Sequence, residues 1–449
     1  MREKKYNMMR LHLIILSLLI AFCPITSIPA NSAGIKRVCA LKEGVNLSSQ
    51  IKTENTIYKV NDNFNLKGAE IVIPKNCVLM FDGGSMENGT ISFTDTELCG
   101  FPQIDCKLKG SIPQVDITWF GARRDDQTTD VGAVINRVQA VAQHIIIPAG
   151  VFYQTNEAVK IEGNKHIDWI GTIINISNKK QFDAFTISSG VVSLDMKGGL
   201  ECKSEGIDFS NANKTDINGL VVENIKNSKL NIGNIRGFNT GLKVFGHGGG
   251  CAYNTFWLAA IRNCNIGLLI TQRDKDGKKG WANENTFIGG RFGANTSWYK
   301  DDREIHAVVA KGIYKDDSYN KVNSLYFLRP CAEGKYVPFV FHNAAIISVI
   351  DCRTEGGVVG AKLSGNTNRV ILTNSYGTSL SNLDLSELNR KQKWPIFRQL
   401  TARGQGFQIS TVRRDAGKGS GRAGPARHQG DVFLLGESGF NGFRTSGVV

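Results

Sequence analysis

The sequence predicts an all-β solenoid, in which short strands stack along one axis. Three observations support this prediction. Short apolar stretches separated by Asn/Gly turns fill residues 155–385, a pattern typical of short strands. A loose Asn-x-apolar repeat begins at Asn254, Asn285 and Asn323, which favours a stack of related units. Apolar residues follow helical spacing clearly at 131–142 alone, so helices contribute little to the predicted fold.

Residues 1–33 have the pattern of a secretory signal peptide. A basic start precedes an apolar run from Leu13 to Phe22, which is too short to span a bilayer. One alternative is a membrane anchor, which the short apolar run disfavours. The other is a lipoprotein anchored at Cys23, but Phe22 is bulky where the lipoprotein peptidase accepts small residues. We therefore expect the mature protein to be secreted, periplasmic or at the cell surface, without an integral membrane span.

Residues 116–155 combine one helix pattern with strand patterns on both sides. Thr129-Asp130 supplies N-cap side chains, which accept hydrogen bonds from the first free amides of a helix. Apolar residues then recur at helical spacing from Val131 to Ala142. The run Ile145-Ile146-Ile147 predicts a short strand, which Pro148-Ala149-Gly150 ends.

This stretch resembles the N-terminal module of the pectate-lyase superfamily. The resemblance rests on Phe120-Gly-Ala122, on the Asp- and Thr-rich run before the helix, and on the segment from Ile145 to Thr155. Here Arg123-Arg124-Asp125-Asp126 replaces the usual Gly-Asp-Gly. The resemblance implies a single-stranded right-handed parallel β-helix, with the helix capping the N-terminal end of the solenoid. The superfamily includes lyases, hydrolases, epimerases and phage tailspikes, so the motif indicates fold more specifically than activity.

The positive charge of the chain is concentrated at its two ends. The formal net charge is +14, but residues 390–449 carry eleven Lys/Arg against three Asp/Glu, and the leader carries four against one, which leaves +3 for residues 34–389. Because the body is not strongly basic, we expect no nucleic-acid partner. We expect the basic tail at residues 390–449 to be disordered or out of frame.

The chain divides into four predicted segments. They are a signal peptide at 1–33, N-terminal strands and first coils at 34–115, a parallel β-helix at 116–389 with its capping module at 116–155, and a basic Gly/Arg-rich tail at 390–449.

Nine cysteines follow residue 33, and they include no Cys-x-x-Cys motif. The odd number and the missing motif argue against a disulfide framework and against a zinc site. We expect most of these cysteines to be free and to fill interior positions, with Cys99–Cys106 as the candidate bridge. No His/Cys cluster predicts a metal site. Scattered Asp residues leave Ca²⁺ as a candidate cofactor, without a spacing that supports it.

Long loops are predicted between the strands, because the Asn copies are 31 and then 38 residues apart, more than the ~20–30 residues of one coil. Exposed aromatic rings beside charged residues suit a carbohydrate, so we assign substrate binding to Trp281, Trp298, Tyr299 and Lys243. The alternative is that the rings are buried at the bases of the loops. The predicted loops are 271–284, 294–305 and 311–321.

Two glutamates have matching sequence contexts. Glu333 lies in Cys331-Ala-Glu-Gly334 and Glu355 in Cys352-Arg-Thr-Glu-Gly356, 22 residues later. If one coil separates them, they are about 4.8 Å apart, close to the ~5–5.5 Å between the carboxyl groups of a retaining glycosidase. The alternative is a surface ladder in which the glutamates pair with arginines such as Arg353.

The resemblance implies a secreted polysaccharide-degrading enzyme, and most directly a lyase that cleaves a uronate-containing glycan by β-elimination. That chemistry needs a group that neutralises the uronate, a base for the C5 proton and an acid for the leaving oxygen. Arg291 or Arg353 is assigned as neutraliser and His247, in a Gly-rich loop, as base, with Glu284 nearby. The alternatives are a glycoside hydrolase using Glu333 and Glu355, and a non-catalytic glycan-binding protein or adhesin. The predicted partner is an acidic polysaccharide, and the oligomeric state is not predicted.

Overall fold

The structure is a computed structural model of the chain. Strands make up 61% of the residues that it describes, and the helices within them are short. The prediction of an all-β fold is therefore confirmed. The described residues are 37–177, 181–203, 216–293, 305–314, 322–334, 337–355, 360–373, 383–388, 396–400 and 408–412.

The strands of the described residues form three sheets. The four-stranded sheet contains β1 (Arg37–Ala40), β2 (Thr56–Val60), β5 (Val78–Phe81) and β7 (Glu97–Gly100). The nine-stranded sheet contains β11 (Val159–Glu162), β14 (Gln181–Ser188), β17 (Asp216–Glu223), β20 (Thr240–His247), β23 (Ile266–Arg273), β25 (His306–Lys311), β28 (Phe339–His342), β31 (Ala361–Ser364) and β33 (Leu383–Asp384). The 22-stranded sheet contains β3 (Asn63–Asn65), β4 (Glu70–Val72), β6 (Ser85–Thr94), β8 (Ile104–Asp116), β9 (Ala142–Ile147), β10 (Val151–Gln154), β12 (Lys165–Trp169), β13 (Thr172–Asn175), β15 (Val192–Met196), β16 (Gly199–Cys202), β18 (Lys229–Ile232), β19 (Asn234–Arg236), β21 (Gly250–Ala252), β22 (Thr255–Arg262), β24 (Trp281–Gly293), β26 (Val322–Leu328), β27 (Cys331–Glu333), β29 (Ala345–Ile350), β30 (Arg353–Glu355), β32 (Asn368–Thr373), β34 (Ile396–Leu400) and β35 (Gln408–Val412). The helices are α1 (Leu47–Gln50), a 3₁₀ turn (Ile117–Phe120) and α2 (Val131–Gln139).

Neighbouring strands in these sheets are parallel. In the nine-stranded sheet, Leu242 of β20 lies opposite Leu268 of β23, and Leu268 lies opposite Val308 of β25. Among the described strands, the pairing of β34 with β35 is the antiparallel exception. Parallel pairing requires a long connection between partners, so equivalent residues are many positions apart in the sequence yet adjacent in space.

The interior is filled by side chains that stack from one strand to the next. Phe256, Phe287 and Phe327 are in register on β22, β24 and β26, and each is at most 1% exposed. Their ring centroids are 4.9 and 5.1 Å apart, with the planes tilted by 13° and 12°. Such offset-stacked rings add to the stabilisation that burial of apolar area provides.

Helix α2 buries one apolar face that includes Val131, Ile135 and Val138. Asp130 is its N-cap, as the sequence predicts, and accepts a hydrogen bond of 2.9 Å from the amide of Gly132. Its second carboxylate oxygen accepts hydrogen bonds from the segment at residues 155–157, which fixes the start of the helix to the chain beyond β10. The helix ends at Gln139 rather than at Ala142, because Ala142 already begins the buried strand β9.

Two buried asparagines form a ladder along the 22-stranded sheet. The side-chain amide of Asn254 donates to Oδ1 of Asn285 over 3.0 Å, so two members of the Asn-x-apolar repeat are stacked. Asn323, the third member of the repeat, does not continue this ladder. Asn323 lies opposite Asn283, while Leu325 takes the position opposite Asn285. The ladder ends because an apolar side chain fills the buried position on β26.

All nine cysteines that follow residue 33 are free, and six are buried, as the sequence predicts. The bridge between Cys99 and Cys106 is not formed, so that prediction is wrong. Cys99 lies on β7 of the four-stranded sheet and Cys106 on β8 of the 22-stranded sheet, so the short sequence separation does not place them side by side. The buried cysteines are Cys77, Cys106, Cys202, Cys251, Cys264 and Cys352.

The segment predicted as a tail contains two described strands, β34 and β35. Ile371 of β32 lies opposite Phe397 of β34, so β34 adds one more strand to the 22-stranded sheet. The remaining tail residues and the leader lie outside the described residues. Within the described part of the chain, no helix has both the length and the apolar character needed to cross a membrane.

Candidate functional site

The structure places the predicted site residues in three separate groups. Arg291, Glu333, Arg353 and Glu355 lie together on β24, β27 and β30, Glu284 lies at a turn within β24, and His247 and Lys243 lie on β20. Trp281 begins β24. Trp298 and Tyr299 lie outside the described residues.

Glu333 and Glu355 are in register on neighbouring strands, as their 22-residue spacing predicts. The guanidinium of Arg291 donates to both carboxylate oxygens of Glu333, from Nε over 3.1 Å and from Nη2 over 3.0 Å. On the neighbouring strand β30, Arg353 donates to Glu355 of the same strand. The four side chains therefore form two ion pairs side by side on the outer face of the sheet.

This ladder changes the acidity of Glu333. The hydrogen bonds from Arg291 lower the pKa of Glu333, and partial burial only partly offsets this. A general acid of a glycosidase instead needs a raised pKa, which keeps its proton at neutral pH. The arrangement therefore matches a structural ladder more closely than a pair of catalytic carboxyl groups.

The backbone of Glu284 is left-handed within β24. Its φ is 53°, and Tyr253, Ser324 and Ile346 have φ values of 60°, 52° and 54° at the same position of the neighbouring strands. Tyr253 hydrogen-bonds to Glu284, which raises the pKa of Tyr253. The carboxylate of Glu284 thus binds the side chain of Tyr253, the left-handed residue at the same position of the preceding turn of the chain.

His247 pairs with a carboxylate at the end of β20. Its Nδ1 lies 3.0 Å from Oε1 of Glu223, and both side chains are partly exposed, at 26% and 22%. A carboxylate on Nδ1 favours the tautomer in which Nδ1 carries the proton and Nε2 keeps its lone pair. Asn224 fixes the backbone of His247 through hydrogen bonds of 2.8 Å to its amide and carbonyl groups.

Three side chains line the outer face of β20 at every second residue, which is the spacing that puts them on one side of a strand. The Nζ atom of Lys243 lies 4.3 Å from the ring centre of Phe245. The ring of Phe245 in turn stacks on that of His247, with centroids 4.9 Å apart. Lys243 and His247 are thereby held on either side of one aromatic ring.

The glycines around His247 make room for protein side chains. A Cβ at Gly250 would collide with the indole of Trp281, and one at Gly248 would collide with Lys275. At these two positions the missing side chain leaves room for Trp281 and Lys275 rather than for a ligand. The indole of Trp281 instead packs over Gly250, with the Nζ of Lys226 5.1 Å from its ring centre.

Two basic residues of this site were missed by the sequence analysis. Arg273 of β23 lies opposite His247 and is exposed, and Lys226 lies over Trp281. Arg273 follows His247 by 26 residues, the length of about one coil, and this spacing could have identified it. We call the group formed by Glu223, Lys226, Lys243, Phe245, His247, Arg273 and Trp281 the His247 site.

A second cluster, formed by His144, His166 and Asp168, was also missed. Nε2 of His144 is 2.9 Å from one oxygen of Asp168, and Nε2 of His166 is 3.2 Å from the other. Burial lowers the pKa of His144, and the hydrogen bond to Asp168 only partly offsets this. The two histidines are 22 residues apart, the same spacing that identified the glutamate pair, so the signal was available.

An open groove beside α2 is lined by none of the residues of these sites. It encloses about 810 Å³ and is lined by Trp119, Arg137 and Asp105, among other residues. Arg137 closes one side through an ion pair of 3.0 Å with Asp105 and donates to the carbonyl of Phe120. Its guanidinium therefore links β8 to the 3₁₀ turn before α2.

Comparisons with protein-family models, with curated proteins and with solved structures find no significant match. The function therefore rests on the geometry of the chain itself.

Proposed function

We propose that the chain is a secreted right-handed parallel β-helix, capped by α2, that acts on an acidic polysaccharide as a lyase at the His247 site. Long parallel sheets in register support the β-helix. The apolar face of α2 and its attachment through Asp130 support the capping role. The motif at residues 116–155 supports the placement in the pectate-lyase superfamily.

One observation carries the assignment of activity. His247 is oriented by Glu223 through a 3.0 Å contact at Nδ1, next to the exposed cation of Arg273 and on the same strand face as Lys243. An oriented imidazole with a free nitrogen is suited to accept a proton. Cations beside it suit a uronate carboxylate, whose neutralisation makes the C5 proton easier to remove.

The proposed reaction is a β-elimination. Nε2 of His247 takes the C5 proton while Arg273 and Lys243 hold the uronate carboxylate. The C5–H electron pair forms the C4–C5 double bond, and the C4–O bond breaks towards oxygen. The imidazolium returns its proton to the departing oxygen, which restores neutral His247 and leaves one unsaturated uronate and one new hydroxyl end.

We assign the neutralising role to Arg273 and Lys243 rather than to Arg291 and Arg353. Both guanidinium groups already bind carboxylates of the chain, Glu333 and Glu355. A second candidate function, glycan binding without catalysis, is favoured by the pairing of Lys226 with Trp281, because a cation and an aromatic ring together suit an acidic sugar whether or not a bond is broken.

A substrate screen tests the proposal. Purified protein beginning at residue 34 is incubated with uronate-containing and neutral polysaccharides, and unsaturated products are followed by ultraviolet absorbance. We expect activity on an acidic glycan, and we expect H247A to lose about 10²–10⁴-fold in rate. The matched control is H342A, which removes a histidine of the same sheet whose Nδ1 is also hydrogen-bonded, to Ser364, and which should keep full activity.

Two outcomes contradict the lyase assignment. New reducing ends without unsaturated products indicate a hydrolase, and retained binding without any product indicates the glycan-binding alternative. A third result, full activity of H247A on a confirmed substrate, places the reaction elsewhere on the chain.

A further inference from the structure

We propose that His144, His166 and Asp168 bind one divalent transition-metal ion, of the zinc type, on the outer face of the 22-stranded sheet. This site is separate from the His247 site and independent of the proposed lyase activity. It joins β9 and β12, the strands that follow α2.

Strand register holds the three ligands together. His144 lies opposite His166 on adjacent parallel strands, and Asp168 follows His166 by two residues, so it projects from the same face of β12. The imidazole rings meet edge to face with centroids 4.4 Å apart. Two histidines on neighbouring strands and one carboxylate on the same face give three ligands from two rigid elements.

The donor atoms of the three residues lie close together. The two oxygens of Asp168 are directed at different imidazole nitrogens, at 2.9 and 3.2 Å, and the ligand atoms of all three residues lie within 4.8 Å of one another. Ligands at about 2.0–2.1 Å from a tetrahedral zinc ion lie roughly 3.3 Å apart. The cluster is therefore close to the required spacing, and only small side-chain rotations are needed.

The donor set selects the class of ion. Two imidazole nitrogens and one carboxylate suit Zn²⁺, Co²⁺ and Ni²⁺, whereas Ca²⁺ and Mg²⁺ prefer oxygen ligands throughout. Three protein ligands leave a coordination position that water or a carboxylate oxygen can take, as in zinc sites that are not purely structural. The three side chains are 23%, 45% and 36% exposed, so an ion can reach them from solvent.

The neighbouring charged residues are arranged without blocking the cluster. Asp195 lies opposite Asp168 on β15, but it is held by Lys197 at 3.1 Å and by Asn231 at 3.3 Å. Ser193 lies opposite His166. The positive charge of the bound ion is thus balanced by Asp168, with Asp195 as a further negative charge one strand away.

Metal titration tests this site. Tag-free protein is stripped with a chelator, dialysed and titrated with Zn²⁺ by isothermal titration calorimetry, and with Co²⁺ by visible absorption. We expect one ion per chain, a tetrahedral Co²⁺ spectrum and no competition from Ca²⁺. H166A and D168N should each weaken Zn²⁺ binding at least about 100-fold, because loss of an outer-shell partner alone costs 10–100-fold.

The matched control is H247A, which removes the histidine of another described His–carboxylate pair and should leave the Zn²⁺ affinity unchanged. Circular dichroism of the metal-free variants checks folding, and H166A is the mildest ligand variant because His166 is the most exposed of the three. Absence of Zn²⁺ binding by the wild-type protein overturns the proposal. So does a Zn²⁺ affinity that stays the same in folded H166A and D168N.

Discussion

The carboxylate of Glu333 carries a pH-dependent contribution to stability. Its pKa is lowered by Arg291, so the stabilisation is present above the ordinary pKa near 4.5 and is lost as the pH falls through the lower, folded-state value. We expect E333Q to lower the melting temperature slightly at pH 7. We expect the difference from wild type to shrink in strongly acidic buffer, as thermal unfolding at several pH values would measure.

A double-mutant cycle separates this ion pair from other effects of the substitution. In an R291Q background, E333Q should have a smaller effect at pH 7 than in the wild type, because the partner is already gone. An equal effect in both backgrounds contradicts the assignment of the pH dependence to this pair.

The buried thiols should be chemically inert in the folded protein. Burial raises the pKa of Cys106 to about 11 and the pKa of Cys251 and Cys264 to about 12, and the thiolate is the reactive form. We expect these three to resist a thiol reagent at pH 8 until denaturant is added, as mass spectrometry of the labelled protein would measure. Rapid labelling of Cys251 in the native protein contradicts its burial.

Residue-scale features could be predicted from the sequence where spacing alone decides them. The register of Glu333 with Glu355 follows from two matching contexts one coil apart. The partner of Glu333 could not be predicted, because Arg291 is 42 residues away and a long connection intervenes. His144 and His166 were missed although they have the same spacing as the glutamates, because no cysteine or further histidine stands beside either one.

At the scale of the strand and turn, the ladder of Asn254 and Asn285 should be a major source of stability. Both side chains are buried. N285L would remove the oxygen that accepts from the backbone and side-chain amides of Asn254, and the donor to the carbonyl of Cys251. We expect a loss of about 1–3 kcal/mol in the free energy of unfolding, measured by denaturant titration. The control N231A removes an exposed amide and should change the stability by no more than about 0.5 kcal/mol.

Ile346 occupies an unfavourable backbone conformation for its side chain. Its φ is 54°, and a β-branched residue in the left-handed region is strained. We expect I346N to raise the melting temperature, because Asn tolerates this conformation and the side chain is 36% exposed. The comparable change I371N, at an Ile that is 38% exposed on β32 and has no positive φ, should give no such gain. A lower melting temperature for I346N contradicts the strain.

Element-scale predictions succeeded where local chemistry is sufficient. The N-cap at Asp130 follows from the residue type and the apolar stripe behind it. The end of α2 was placed three residues late, because Val141 and Ala142 fit a helical stripe and are also buried where β9 begins. Asn323 fits the Asn-x-apolar repeat in sequence. The residue of β26 that lies opposite Asn285 is nevertheless Leu325, and it takes the buried position.

At the scale of the whole molecule, β34 covers an edge of the 22-stranded sheet through its pairing with β32. A chain ending at residue 394 should expose the edge of β32, and unpaired parallel edges lower stability and favour association. A chain ending at residue 412 should keep the melting temperature of the full protein, because residues 413–449 carry no apolar periodicity. Thermal unfolding and size-exclusion chromatography compare the two, and equal behaviour of both truncations contradicts this role for β34.

The all-β character and the short strands could be predicted from apolar patches between Asn/Gly turns. The assignment of strands to three sheets could not, because it depends on how many residues each connection absorbs. The connection from Ile266 to its partner His306 spans 40 residues, whereas that from Phe339 to Ala361 spans 22. Periodicity identifies each strand, but only pairing shows which strands are adjacent.

Because the parallel strands keep a regular register, equivalent residues on the surface are evenly spaced. Equivalent positions, such as those of His247 and Arg273, recur with a rise of about 4.8 Å from strand to strand. A sugar ring in an extended glycan advances by a comparable length, so a chain of sugars lying across the strands stays in step with them. Each added sugar then meets one further strand, and affinity for the polymer should grow in nearly equal increments with its length. Under the proposed function, the spacing of the strands would therefore set the spacing at which successive sugars bind.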